Sequence, residues 1–158
     1  MLRVTRLTDY ATVVLTVLAA EPETVLSAAE LAERAGLEAP TVSKVLKPLA
    51  QAGLVEGFRG AHGGYRLTRP PGEISLLEIV EAMEGPIAMT ECSLDEHVCG
   101  IASQCGVRAN WRRINDVVAA ALSDVSLAQM FAEAPASADV PPPPPSGARS
   151  IDARLAGN

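Results

Sequence analysis

Residues 27–69 read SAAELAERAGLEAPTVSKVLKPLAQAGLVEGFRGAHGGYRLTR, and this stretch decides the fold. Ser27 followed three residues later by Glu30 is a capping box, so a short helix opens there and stops at Gly36. A second helix begins around Pro40, a residue suited to a first turn. Val42, Val45, Leu46 and Leu49 make its buried stripe, and Gly53 is placed to end it. Pro48 lies inside this helix, where its missing N–H should kink or tighten the last turn. Leu54 to Arg59 then reads as a strand, Gly60 to Gly64 as a hairpin loop and Tyr65 to Arg69 as the returning strand. Two short helices joined by a turn and followed by a two-stranded ribbon form a winged helix-turn-helix within a mainly α protein.

The polar residues of this unit point to nucleic acid. Thr41, Ser43, Lys44 and Lys47 share the polar face of the second helix. Arg59, Arg66 and Arg69 flank a loop with three glycines, whose backbone can approach a phosphate or enter a minor groove while the guanidiniums supply charge. His62 is either a phosphate donor or a plain loop residue, and Tyr65 is expected to pack at the base of the wing.

On the N-terminal side, Thr8 is placed to cap a helix running to Ala20, with Leu7, Tyr10, Val14, Val17 and Leu18 facing inward and Asp9 in the favourable first turn. Arg3 and Arg6 ahead of the apolar run Ala11–Ala20 resemble a secretory signal. Asp9 abuts that run, however, and the run is too short for a span of about 20 residues. The expectation is a soluble, cytoplasmic protein.

On the C-terminal side, Pro70-Pro71-Gly72 closes a winged-helix region spanning 1–72. Ser75 and Glu78 form a second capping box, and Gly85-Pro86 ends the helix it opens. Residues 87–107 show no sustained periodicity. A long helix over Val107–Ser123 then carries Trp111, Ile114, Val118, Ala121 and Leu122 on one side, a stripe with no evident partner in so small a domain, which suggests a homodimer. Ser126 and Gln129 can box a last short turn reaching Phe131. The region 73–133 is therefore read as a cysteine-bearing loop with a dimerisation helix. Residues 134–158, with five consecutive prolines at 141–145, are read as a disordered or polyproline tail.

The chain has 158 residues, of which 48% are hydrophobic and only 3% aromatic, so its core is built of Ala, Val and Leu, as in packed helices rather than a β-sandwich. Its net charge of −6 counts against a phosphate-binding partner until the chain is divided. Residues 1–72 hold eight Lys/Arg against seven Asp/Glu, whereas residues 73–133 hold three against ten. The acidity is thus confined to the middle segment, and the first part retains room for a local basic surface.

Cys92, Cys99 and Cys105 are the only cysteines, an odd number separated by six and five residues. Three thiols in one irregular stretch can converge on a soft metal centre. Structural zinc prefers close Cys-x2-4-Cys pairs, and the wider steps favour an iron-sulfur cluster, with zinc as the rival. No Cys-x-x-Cys and no nucleophile-base pair suggests an enzyme. The fourth ligand stays open among Asp9, His97, Glu91 and a small molecule. A non-cysteine ligand would leave one corner of a cluster labile, as a sensor requires.

Four strings together carry a family resemblance. They are Arg6-Leu7-Thr8-Asp9-Tyr10-Ala11, the wing Arg59-Gly60-Ala61-His62-Gly63-Gly64-Tyr65, Gly85-Pro86-Ile87 leading to Thr90-Glu91-Cys92, and Trp111 through Asn115. The chain resembles the IscR/NsrR superfamily (Rrf-two type) of bacterial winged-helix regulators over about residues 1–131, and most resembles the branch that regulates SUF iron-sulfur assembly genes. The resemblance implies a homodimer that binds a palindromic operator as a repressor, without catalytic activity, in response to a bound 2Fe-2S or 4Fe-4S cluster. It implies Cys92, Cys99 and Cys105 as ligands. The histidine that follows the third cysteine in the IscR branch is replaced here by Arg108, which cannot serve. The aspartate that completes the site from the other subunit in the NsrR branch corresponds to Asp9, so Asp9 in trans is expected. For DNA, the resemblance places Thr41, Ser43 and Lys44 at base edges, Lys47 at phosphate, and Arg59, Gly60, His62 and Arg66 in the wing contact.

Overall fold

The computed structural model describes residues 3–90 and 105–132. Helix α1 (Arg6–Ala20) is followed by α2 (Ala28–Ala35), α3 (Ala39–Gln51), strands β1 (Val55–Phe58) and β2 (Gly64–Leu67), a 3-10 turn at Pro71–Glu73, and α4 (Leu76–Glu84). Beyond the cysteine segment lie α5 (Arg108–Ser123) and α6 (Leu127–Ala132). The winged helix-turn-helix expected from residues 27–69 is present. Among the described residues, no helix is long and apolar enough to cross a membrane.

Local signals account for the middle elements. Ser27 and Glu30 exchange both bonds of their capping box, and Gly36 turns the chain out of α2 with φ 64, the left-handed conformation that glycine adopts without penalty. In α3 the sides of Val42, Val45, Leu46 and Leu49 are buried, as their spacing requires. Pro48 does not break this helix, which continues to Gln51. The carbonyl deprived of its partner is that of exposed Lys44, and the end is sealed beyond the proline by Leu54 N–H donating to Leu49 O at 2.9 Å across Gly53.

The start of α1 differs from the sequence expectation. Thr5, not Thr8, is the N-cap, with an extended backbone (φ −72, ψ 163) and a hydroxyl facing the Thr8 N–H. Thr8 is inside the helix and buried. The inward face is correspondingly rotated: Thr8, Ala11, Val14, Leu15, Leu18 and Ala19 are buried, while Leu7 is exposed. The strands are also shorter than expected, leaving Arg59 and Arg69 outside them.

Helix α1 is the central element and packs against α2, α3, α4 and α6. One core cluster joins Leu15, Leu46 and Leu54 to Ile74, Ile79 and Leu127, so it runs without a break across Gly72. Leu76 N–H donates to Val125 O and Leu127 N–H to Ile74 O, each at 2.8 Å, which brings the chain after α5 back beside the start of α4.

The wing pairs antiparallel, with Val55 opposite Leu67 and Phe58 opposite Gly64. Its base is stitched to the α1–α2 connection by Leu26 and half-buried Tyr65, which exchange backbone bonds of 3.0 and 2.8 Å. This close approach explains Gly64, where a Cβ would lie 2.4 Å from Leu26 O and 2.8 Å from Ser27 N. Gly64→Ala is therefore expected to destabilise the fold by about 3 kcal/mol, a fall of about 10 °C in melting temperature. Gly57→Ala, whose Cβ would meet the Tyr65 ring at an ordinary 3.4 Å, should be far milder. Equal melting temperatures for the two variants would show that the wing base yields freely.

Candidate nucleic-acid interface and metal-ligating segment

Burying Val42, Val45, Leu46 and Leu49 turns the opposite side of α3 to solvent. Ser43, Lys44 and Lys47 are exposed there and Thr41 is half-buried. Ser43 Oγ donates to Ala39 O at 3.0 Å, which fixes its rotamer and leaves its lone pairs outward. Lys44 and Lys47 make no ion pair among the described residues.

In the wing, the structure separates three arginines that the sequence grouped. Arg66 Nη2 is 2.7 Å from Glu56 Oε1, its cross-strand partner, and its guanidinium carbon stands 5.2 Å from the Phe58 ring centroid. The hydrogen bond to Glu56 raises the guanidinium pKa above its already high ordinary value. Arg69 Nη2 is 2.7 Å from Glu78 Oε1, and its Nη1 donates to Glu73 O at 3.0 Å. Arg59 is exposed and has no ion pair among the described residues. It adjoins Gly60 (φ 114), beside which nothing lies within 4 Å, and His62 is exposed on the same loop.

Cys92, Cys99, Glu91 and His97 lie outside the described residues. Cys105, ahead of α5, is half-buried and carries a free thiol. Among the described residues, no three His, Cys, Asp or Glu side chains gather in a metal-binding group. Asp9 is exposed on the first turn of α1, and its carboxylate makes no hydrogen bond or ion pair among the described residues. It borders a cleft of about 720 Å³ between α1, α4, α5 and α6, lined also by Thr12, Val80, Met89, Trp111 and Val118. Three thiolates and a carboxylate oxygen form a soft donor set with one hard corner, a set that fits an iron-sulfur cluster or zinc. Of the expected ligands, Cys105 and Asp9 are described, and neither engages another protein group among the described residues.

Two contacts around this cleft were not foreseen from the sequence, although Asn115 lies in one of the strings that carry the family resemblance. Asn115 Oδ1 on α5 accepts from Met89 N–H at 3.1 Å, holding the run that leads toward Cys92 alongside α5. Glu84, the last residue of α4, accepts from the hydroxyls of Thr8 and Thr5 and from the Thr5 N–H, and these donors hold its carboxyl below the ordinary pKa.

Helix α5 is without a buried residue along its 16 positions. Trp111, Ile114 and Val117 are 37%, 43% and 63% exposed.

Residues 4–133 match the family described as Rrf2, iron-dependent transcriptional regulator. Protein aau3 of Rhizobium meliloti (strain 1021) is 39% identical over 113 residues, which cover 71% of this chain and 73% of that protein. The HTH-type transcriptional regulator NsrR of Bacillus subtilis (strain 168) is 34% identical over 68% of this chain and 75% of its own length. The solved structure of CymR, the global cysteine regulator of B. subtilis, is similar with a TM-score of 0.65 and 30% identity, covering 84% of this chain and 98% of its own. The family and these named regulators are not enzymes.

Proposed function

The chain belongs to the Rrf2 family of iron-dependent transcriptional regulators, and from that premise we propose that it is a homodimeric, operator-binding repressor of iron-sulfur assembly (SUF) genes that senses through a bound iron-sulfur cluster. The observation that carries the sensing part is the Asp9 carboxylate on the first turn of α1, without a partner among the described residues and at the edge of the cleft beside the exit of α4. Cys92, Cys99 and Cys105 of one protomer would hold the cluster, with Asp9 of the other closing it. When bound, the cluster supplies iron and sulfide that oxidants and iron scarcity remove, so that occupancy reports the state of the cell.

The DNA contact is proposed for Thr41, Ser43, Lys44 and Lys47 of α3, with Arg59, Gly60 and His62 at the tip of the wing. Arg66 joins them only by sharing its charge with Glu56. Helix α1 packs directly on α3, so a shift of the first turn of α1 reaches the recognition helix through a shared, closely packed core. Region 1–72 would then read DNA and supply Asp9, and region 73–133 would carry the cysteines and the dimerisation helix; residues 134–158 lie outside the described residues.

The test is anaerobic purification and reconstitution, with visible absorption, iron and sulfide measured alongside affinity for the SUF promoter with and without the cluster. A coloured protein whose two forms differ at least tenfold in affinity is the expected result. Equal affinities would remove sensing and leave an operator-binding protein, and a colourless sample with one zinc per chain would replace the cluster by a structural staple.

A further inference from the structure

Among the described residues, three helices open with a capping box closed inside their own first turn. Ser27 pairs with Glu30, Ser75 with Glu78 and Ser126 with Gln129, each partner accepting from the cap residue's N–H at 2.8 to 2.9 Å. Helix α1 cannot do this, because Thr8 occupies the position where the other three carry Glu or Gln, and a threonine is too short to reach back. The missing carboxylate comes from the far end of α4. Glu84 Oε1 accepts from Thr5 N at 2.9 Å and Thr5 Oγ1 at 2.7 Å, and also from the Thr8 hydroxyl. The box that starts α1 is therefore completed across a separation of 79 residues.

Both ends of this tie lie next to the proposed ligands. Asp9 follows Thr8, and its N–H donates to Thr5 O at 3.2 Å, so the placement of Asp9 depends directly on the residue Glu84 holds. On the other side, Glu84 is followed by Gly85, with φ 85, where the chain turns out of α4 toward the cysteine segment. Thr8 is 2% exposed, so losing Glu84 would leave a buried hydroxyl short of an acceptor and the Thr5 N–H without its partner, with only the Thr5 hydroxyl still capping the helix.

We propose that Glu84 is a positioning residue for Asp9: by completing the cap of α1 from the end of α4, it makes the order of the Asp9-bearing turn depend on where the chain leaves α4 for the cysteine segment. This rests on Asp9 being a cluster ligand, and the tests separate the two claims. In the metal-free protein, Glu84→Ala should speed hydrogen exchange at the Asp9 amide at least tenfold while leaving Leu18 unchanged. Glu84→Gln, which keeps an acceptor oxygen, should stay within threefold of the parent. In the reconstituted protein, Glu84→Ala should alter the visible circular dichroism and speed cluster loss at least tenfold, and Glu84→Gln should restore both. Unchanged exchange in Glu84→Ala overturns the tie. Raised exchange with an unchanged dichroism spectrum and loss rate overturns the positioning role. An Asp9→Ala protein with the parent's visible spectrum and loss rate overturns the ligand assignment, and the proposal with it, whatever the exchange of the Glu84 variants.

Discussion

Ile114→Asp is expected to give a folded monomer whose operator affinity is reduced by ~10²–10⁴-fold. Helix α5 has no buried residue, yet it presents Trp111, Ile114 and Val117 along its length, with Ile114 43% exposed. Such a helix is stable where a second apolar surface covers it, and in the proposed dimer a second copy of the same helix across a two-fold axis would do so isologously. Each substitution then enters the interface twice and sets two carboxylates in a dry contact, which desolvation and mutual repulsion oppose. Ile114 is outside the core cluster, so the winged helix should keep its melting transition. The loss in affinity follows from linkage: two recognition helices in one particle engage two half-sites with a high effective concentration, and a monomer does not. Sedimentation and operator titration check both parts, and a dimer with parental affinity would exclude α5 from the interface.

The second large effect is expected at Cys105. Cys105→Ser should be colourless after anaerobic reconstitution and should bind the operator as the cluster-free parent does, at least tenfold apart from the loaded parent. A serine hydroxyl is a poor ligand for soft metal centres, whereas a cysteine sulfur suits them, and Cys105 is not tied up in a disulfide. A tenfold separation corresponds to ~1.4 kcal/mol of coupling between the two sites, within the range allosteric proteins use. Full visible absorption in the variant would take Cys105 out of the ligand set.

What could be read from the sequence was whatever is local. The boxes at Ser27 and Ser75 close within four residues, the stripe of α3 repeats at the helical period, and the wing is bracketed by glycines, so each declares itself in a short window. Thr5 and Thr8 show where this fails. Both are acceptable caps by type, and the choice between them is tied to Glu84, a residue no window around α1 contains. The same holds for the wing arginines. Arg66 and Arg69 look as free as Arg59 until strand register sets Glu56 beside the first and packing of α4 sets Glu78 beside the second. The glycines at 63 and 64, read as openings for a phosphate, face backbone of the protein itself, and of the three wing-loop glycines only Gly60 is open on its side-chain side. For the ligand set, spacing suggested the three thiols and left the fourth position open among Asp9, His97, Glu91 and a small molecule; the preference for Asp9 came from family resemblance, since a first-turn aspartate is equally at home as a helix-start charge.

The paired backbone bonds between Ile74, Leu76, Val125 and Leu127 fasten departure and return of one long excursion at a single doorway. Between them α4 stays bound to the core through Ile79 and to α1 through Glu84, so a change of length or sequence confined to the stretch joining α4 to α5 should leave the winged helix in place. One winged-helix scaffold could thereby carry different inserts, with the clasp fixing where each leaves and rejoins it.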